Sequence, residues 1–467
     1  MSKNKLGIIG MAVMGKNLAL NFADKGYKLA VYNRSEEPLK KALEEDTTGN
    51  LEGFSSLKDF VESLEKPRRV LLMIKSGDPV DQMCHELLKY LEKDDIIMDA
   101  GNSYYKDTIR RTNDLLEHGI NFLGVGVSGG EEGARLGPAI MPGGDKEAYA
   151  HVKELLEAVS AKNEEGGICC KYAGTDGAGH YVKMVHNSIE YGDMQIIAEM
   201  YLILREAFKI DNDQMAKEFE YFKDGIQSGY LLDIAVNVLK EKDEDGSYLL
   251  ENIKDKAKHK GTGKWAALEA IDLGVETSVL VAGLNARVIS SMFDDRKEFS
   301  EMYPRGDYET LDIELWRDDI KKALLLSKII AYAQGFALLR EAAAEYNWDF
   351  DYKSIAEGFT AGCILQGRLL KEIMDAYKEN PKLSNLLLSP AFEGVVKDCS
   401  KSLRKVVAKA MELEIPIPAL SSGLSYFDSL KTYPGSANMI QGLRDYFGAH
   451  TFERVDREGT FHHKWNR

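Results

Sequence analysis

Short apolar runs punctuate the N-terminal part of the chain: Leu6–Gly10, Lys28–Tyr32, Val70–Ile74, Ile96–Asp99 and Phe122–Val127. Each reads as a strand, and the stretches between are long enough to return as crossover helices. The pattern predicts a largely parallel, doubly wound sheet. After Gly179 the strand signal fades, and apolar residues recur at helical spacing to about residue 430. Ala173-Gly174-Thr175-Asp176-Gly177 reads as the joint. The expected division is 1–177 for an α/β part, 178–433 for an all-helical part and 434–467 for a tail.

The helical part echoes itself. Ile203-Leu204-Arg205-Glu206-Ala207 recurs as Leu338-Leu339-Arg340-Glu341-Ala342, an offset of 135. Ser228-Gly229-Tyr230-Leu231-Leu232 recurs loosely as Gln366-Gly367-Arg368-Leu369-Leu370, an offset of 138. Two matches at nearly one offset suggest a duplicated helical unit; coincidence between Leu/Arg/Glu-rich helices is the alternative. From Pro434 the chain turns rich in Gly, aromatic and charged residues and runs to His462-His463-Lys464-Trp465. Such a tail is expected to be held by something larger than itself.

Composition narrows the class. With 467 residues, 60 Lys+Arg and 75 Asp+Glu, the net charge is −15. An acidic balance argues against nucleic acid and membrane surfaces as partners, since both are anionic. Charged residues at 29% and hydrophobic ones at 44% describe a globular rather than a disordered chain. No apolar run approaches the roughly 18–20 residues that span a bilayer. The run Leu6–Gly15 ends at Lys16-Asn17 without a convincing cleavage site, so it is not expected to be a signal peptide. Cys84, Cys169, Cys170, Cys363 and Cys399 are too few and scattered for a disulfide framework, and show no metal-ligand spacing. A reduced, cytoplasmic enzyme without a metal is the expected class.

Gly10-Met11-Ala12-Val13-Met14-Gly15 follows the first strand and opens a helical stretch. This Gly-x-Ala-x-x-Gly is a variant of the dinucleotide fingerprint of a Rossmann-like fold, with its anion site at the helix N-terminus. The second strand ends in Asn33-Arg34-Ser35, where an NAD site would place an acidic residue for the ribose. An amide, a guanidinium and a hydroxyl suit a 2′-phosphate instead, so NADP is expected. An inward Glu36 would repel that phosphate. Ile74-Lys75-Ser76 and Gly101-Asn102-Ser103 lie at later strand ends, where ligands gather in such folds. Asn102 is placed to bridge cofactor and substrate, although Asn after Gly is also an ordinary turn residue.

The segment His180–Tyr191 carries the most chemistry. As a helix it sets Lys183, His186, Asn187 and Glu190 on one polar stripe, with Val182, Val185 and Ile189 on the packed side. Lys183 and Glu190 then lie roughly 10 Å apart along the axis, room for a small sugar acid between a base and an acid. A solvated charged face is the alternative. Against it, the stripe mixes residue types, and its counterparts in the second unit are Asp318, Lys322 and Leu325. Ser128-Gly129-Gly130 offers a hydroxyl and backbone amides for a carboxylate, or is a flexible loop. The basic stretch Lys256–Lys264 lacks the phosphate-loop pattern, so it holds a single phosphate or is an exposed turn. Arg287 follows small residues, compatible with a buried anion contact.

Taken together, these segments resemble the 6-phosphogluconate dehydrogenase family, the decarboxylating enzymes of the pentose phosphate route. Gly10–Gly15, Asn33-Arg34-Ser35, Gly101-Asn102-Ser103, Val127–Ala134, Lys183–Tyr191, Lys260–Trp265 and Arg444–His450 carry the likeness in order along the whole chain. The resemblance implies a homodimer in which each tail reaches into the other subunit. It implies that Lys183 takes the proton from the 3-hydroxyl while hydride leaves C3 for NADP. Carbon dioxide then leaves the 3-keto acid, and Glu190 protonates C1 to yield ribulose 5-phosphate. Such a lysine must start neutral, so burial or a nearby cation should lower its pKa. Asn187 stands with Lys183 and Glu190 at the reacting centre. By the same resemblance, Asn102, Ser128, Gly129, Gly130, His186 and Asn187 hold the sugar acid. Tyr191, Lys260, Thr262 and Arg287, with Arg444 and His450 from the second subunit, hold the phosphate side. Two rivals stay open: a dehydrogenase of an unphosphorylated β-hydroxy acid, and a non-catalytic NADP-sensing protein.

Overall fold

The computed structural model describes residues 3–258 and 261–465. Seven strands form one sheet: β1 (Leu6–Ile9), β2 (Leu29–Tyr32), β3 (Leu51–Phe54), β4 (Arg69–Leu72), β5 (Ile96–Asp99), β6 (Asn121–Ser128) and β7 (Ala139–Gly143). Their spatial order is β3-β2-β1-β4-β5-β6-β7. The first six are parallel and β7 runs antiparallel to β6. The order reverses between β1 and β4, which opens a crevice at their carboxyl ends.

The apolar pattern predicts five of these strands to within a residue or two and misses two. β3 reads Leu-Glu-Gly-Phe on a half-exposed edge, too polar for a buried run. β7 contains Pro142 and Gly143, both poor strand formers, and its outer side is bridged by the 169–174 segment, where Ile140 N donates to Cys169 O and Ala173 N to Pro142 O.

Helices α1 (Val13–Asp24), α2 (Glu36–Glu45), α3 (Leu57–Glu62), α4 (Asp78–Leu87) and α5 (Tyr105–Leu116) provide the crossovers. The short α6 (Gly130–Leu136), α7 (Lys146–Ala150) and α8 (Lys153–Val159) follow. Apolar clusters fill both faces of the sheet, one around Leu18, Phe22 and Val125, the other around Phe60, Val80 and Phe122.

The rest is helical, with one core centred on α9 (Ala178–Ala207). After it come α10 (Asn212–Phe222), α11 (Tyr230–Lys240), α12 (Leu249–Asn252), α13 (Thr262–Asp272), α14 (Ser278–Ser291) and α15 (Phe293–Met302). A second series comprises α16 (Arg317–Tyr346), α17 (Tyr352–Gly358), α18 (Leu369–Glu379), α19 (Pro390–Glu412) and α20 (Pro418–Lys431). Both α9 and α16 have 30 residues. The second echo seen in the sequence meets its copy in space: Gly229 and Gly367 form an antiparallel bridge. Tyr230 N donates to Gln366 O at 3.0 Å and Arg368 N to Ser228 O at 2.9 Å.

Helix α16 corrects the expectation about apolar length. It contains an 18-residue window of mean hydropathy 1.3, long and apolar enough to cross a membrane by composition alone. In this fold 83% of that window is buried among other helices, where an all-round apolar surface is the natural consequence.

The tail, expected to be held by something larger than itself, also bonds within itself. Asp445 on α21 (Ala437–Gly448) accepts from Thr451 N, His463 N and Trp465 Nε1 at 2.8–3.1 Å and lies 2.8 Å from His462 Nδ1. A two-residue pair, β8 (Phe452–Glu453) with β9 (Thr460–Phe461), closes the unit. Met439, Ile440, Leu443 and Phe447 remain exposed on its outside.

Candidate active site

The polar stripe is built where a strand of period two meets every third residue of a helix. Gly124, Gly126 and Ser128 alternate along one face of β6, opposite His180, Lys183 and His186 on α9. A Cβ at Gly124 would stand 2.8 Å from His180 Nδ1, and one at Gly126 2.6 Å from Lys183 Cβ. Missing side chains therefore let α9 lie directly on the strand. Ser128 Oγ lies 3.4 Å from His186 Nε2. On its other side His186 Nδ1 lies 3.2 Å from Asn187 Oδ1 and 3.9 Å from Glu190 Oε2.

Lys183 is 6% exposed and makes no hydrogen bond or ion pair with the other described residues. Burial pushes its amine down from the usual lysine range, against the opposing influence of Glu190 and Cys363. Burial likewise raises the Glu190 carboxyl, opposed by Lys183 and Arg287 and aided by Asp193. Both groups are thus driven toward their neutral forms, one able to accept a proton and the other to donate one. His186 is held well below the usual histidine range by burial and by Lys183, so its ring stays uncharged.

Further polar groups surround the stripe. The Arg287 guanidinium stacks 3.7 Å over the Tyr191 ring and donates to Lys258 O at 2.9 Å. Thr262 is buried in the first turn of α13, which packs on α9. Lys260 lies outside the described residues. Gly129 and Gly130 follow Ser128 into the short α6. Asn102 is exposed at the end of β5, in a loop braced by Asp99. That carboxylate accepts from Gly101 N at 3.0 Å and Ser103 Oγ at 2.6 Å.

The residues expected to hold a cofactor collect at the crevice. Gly10 N donates to Tyr32 O at 3.0 Å, fixing the turn between β1 and α1. A Cβ at Gly15 would collide with Gly10 O at 1.8 Å, so only glycine fits there. Ala12, the residue before α1, has no side-chain cap, which leaves the amides around Val13 and Met14 available to an anion. Met11 is buried and its N–H donates to Asn33 Oδ1 at 2.9 Å, while Asn33 Nδ2 donates to Ser35 O at 2.9 Å. The Asn33 amide thus braces the two loops. Arg34 and Ser35 are exposed, and Arg34 makes no ion pair with the described residues. Glu36 is exposed and Glu37 pairs with Lys41 at 3.1 Å. Ile74 and Ser76 are half-buried and Lys75 exposed, at the end of β4 beside this turn. The donor set, an uncapped helix start with a free guanidinium at the next strand end, fits NADP.

Arg444 and His450 are not brought to the stripe by any hydrogen bond or ion pair with the described residues. Arg444 donates to Gln441 within its own helix at 3.1 Å, and the His450 ring meets Phe447 edge-on, with ring centres 5.6 Å apart. Sequence reasoning missed Cys363, buried and electrostatically coupled to Lys183, and Phe359, edge-on to His186 at 5.0 Å. Both arrive from the chain after α17 and carry no local pattern. The Gly-x-Gly-x-Ser alternation of β6 was the signal available for the face that receives α9.

Comparison with known proteins identifies the family. Residues 5–174 match a family model described as the NAD binding domain of 6-phosphogluconate dehydrogenase. Residues 179–465 match one described as the 6-phosphogluconate dehydrogenase C-terminal domain. The chain is 48% identical over 471 residues, all of both chains, to the decarboxylating 6-phosphogluconate dehydrogenase of Escherichia coli. It is also 48% identical, again over all of both chains, to the NADP(+)-dependent, decarboxylating enzyme of Bacillus subtilis. A Plasmodium falciparum 6-phosphogluconate dehydrogenase, solved apo, with NADP+ and with 6-phosphogluconate, superposes with a TM-score of 0.95. It shares 41% identity and the match covers 99% of this chain and 100% of that one.

Proposed function

The chain belongs to the 6-phosphogluconate dehydrogenase family, and we infer that it oxidises and decarboxylates 6-phosphogluconate to ribulose 5-phosphate and carbon dioxide, reducing NADP. The observation that carries this reading is the buried Lys183 without a counter-ion among the described residues, on the same helical face as Glu190.

When bound, NADP supplies the acceptor for hydride from C3. Gly10 to Gly15 and the start of α1 cradle its pyrophosphate, and Arg34 with Ser35 receives the 2′-phosphate. Lys183, neutral through burial, takes the proton from the 3-hydroxyl. As an ammonium it then stabilises the enolate oxygen left when carbon dioxide departs. Glu190, protonated through burial, returns a proton to C1. Ser128, His186 and Asn187 hold the hydroxyls and carboxylate, and Asn102 reaches from the strand-end loop. Tyr191, Lys260, Thr262 and Arg287 receive the phosphate end. An unphosphorylated acid leaves the Arg287–Tyr191 stack without purpose, which favours the phosphorylated substrate.

In this reading residues 1–177 hold the cofactor, 178–433 the substrate, and 434–467 the partner. The exposed Arg444 and His450 complete the phosphate site of a second subunit. Exposed apolar residues on α14 and α15 (Val288, Ile289, Met292, Phe299) and on the tail support such a homodimer. Five free, buried cysteines support a cytoplasmic setting.

The test incubates the protein with 6-phosphogluconate and NADP and follows reduced cofactor together with released carbon dioxide. Reduction without gas release overturns the decarboxylating reading. Mixing Lys183→Ala subunits with Arg444→Ala subunits tests the tail. Exchanged tails restore activity in the mixed dimer, whereas tails kept within their own subunit do not.

A further inference from the structure

The loop after β5 and the first turn of α13 approach the reacting stripe from different parts of the fold. A chain of polar groups, with Tyr105 and Glu269 buried, Tyr346 half-buried and Lys106 exposed, joins the helices that follow them. Tyr105 and Lys106 open α5, three and four residues past Asn102. Glu269 lies on α13, seven residues past Thr262, and is 1% exposed. Its Oε1 accepts from the Tyr346 hydroxyl at 2.7 Å, and the Tyr346 and Tyr105 hydroxyls are 2.8 Å apart. With Tyr346 donating to Glu269, Tyr105 donates to Tyr346. Glu269 Oε2 lies 3.3 Å from Lys106 Nζ, an ion pair without hydrogen-bond alignment.

Rings pack around this chain. Tyr104 stands 5.0 Å from Trp265 and Tyr105 4.8 Å from Tyr181, two residues before Lys183 on α9. A carboxylate this deep is costly unless bonded, so the relay has one low-energy geometry. Lys106 is 43% exposed on its side chain, so its ionic contribution is small and the Tyr346 bond dominates.

We propose that Glu269 is a positioning residue that holds the Asn102 loop and the Thr262 turn at one separation. Both ends of the bound sugar acid then meet α9 in register. The proposal rests on the substrate reading above. Its cause is geometric, since a misplacement of about 1 Å at a reacting centre costs about 100-fold in rate.

The experiment compares the full-length protein with Glu269→Ala, Glu269→Gln and Tyr346→Phe. In Glu269→Ala, kcat/KM for 6-phosphogluconate falls about 100-fold through both kcat and KM, while KM for NADP holds. Glu269→Gln keeps an acceptor for Tyr346 and recovers to within about threefold of the parent. Equal losses in Ala and Gln, or a parallel rise in KM for NADP, overturn the proposal and leave the catalytic reading intact. Amide hydrogen exchange decides it independently of turnover, even if the parent fails on 6-phosphogluconate. Exchange rises in both 101–106 and 261–268 for Glu269→Ala, and for Tyr346→Phe should the alanine variant not fold. A rise confined to 261–268 overturns it.

Discussion

Lys183 on α9 and Lys328 on α16 sit in helices of equal length and are 6% and 5% exposed. Lys328 Nζ donates to both oxygens of Asp193 at 2.7 and 2.6 Å, across 135 positions of sequence. That separation equals the offset of the internal echo, so the pair joins corresponding places in the two units. Lys183 has no such acceptor among the described residues, and burial lowers its pKa. At nearly equal burial one amine is paired with a carboxylate at hydrogen-bond distance and the other is not. The second unit's counterparts of the stripe are satisfied elsewhere. Lys322 pairs with Asp398 at 2.9 Å, and Asp318 accepts from the Tyr221 hydroxyl.

Five variants put this contrast under strain. Lys183→Met should lower kcat by about 10²–10⁴-fold, while the thermal midpoint holds or rises because an uncompensated buried amine is removed. NADPH formation and thermal melting check it, and a large drop in midpoint would erase the distinction. Lys328→Met should cost about 3–5 kcal/mol of stability by stranding the Asp193 carboxylate. The double variant with Asp193→Leu should recover most of that in urea unfolding.

Glu190→Gln sharpens the chemistry of α9, lowering kcat by about 100-fold. In the parent, kcat/KM should fall at acid pH as Lys183 gains a proton and at alkaline pH as Glu190 loses one. The Gln variant should keep the acid limb and lose the alkaline one. Stability follows the same logic. The Lys183 pKa is depressed in the folded state, so its unfavourable contribution is largest at low pH. That contribution lessens as pH climbs from the folded value toward the unfolded one. Lys183→Met should flatten this part of a stability–pH curve.

The smallest effect belongs outside both helices. Arg34→Ala should raise KM for NADP by about tenfold, in line with about 1.5–3 kcal/mol for a charged hydrogen bond. Saturating kcat should hold, and NAD should become the relatively better cofactor.

Much of the fold was legible in sequence because its signals are local. Runs such as Ile96–Asp99 mark buried strands, and Gly10 to Gly15 mark a turn that no side chain fits at its last position. The stripe from Lys183 to Glu190 follows from helical period alone. Leu51–Phe54 and Ala139–Gly143 were not legible, because edge strands owe their conformation to a neighbour rather than to their own residues. Asn33 was legible as a candidate site residue but its bond to Met11 N was not, since that bond depends on where β1 ends. The tail's internal bonding was hidden for a similar reason. Asp445 gathers groups up to twenty positions away, and no periodicity announces such a hub.

By itself, then, the chain determined which residues are apolar, which turns need glycine, and which charges share a helical face. Only the tertiary structure decided that β6 would press glycines against α9, and that one hidden lysine would meet a carboxylate while the other would not. The reason is physical: periodicity is written over a few residues, whereas the electrostatic state of a buried amine depends on whatever distant segment folds beside it.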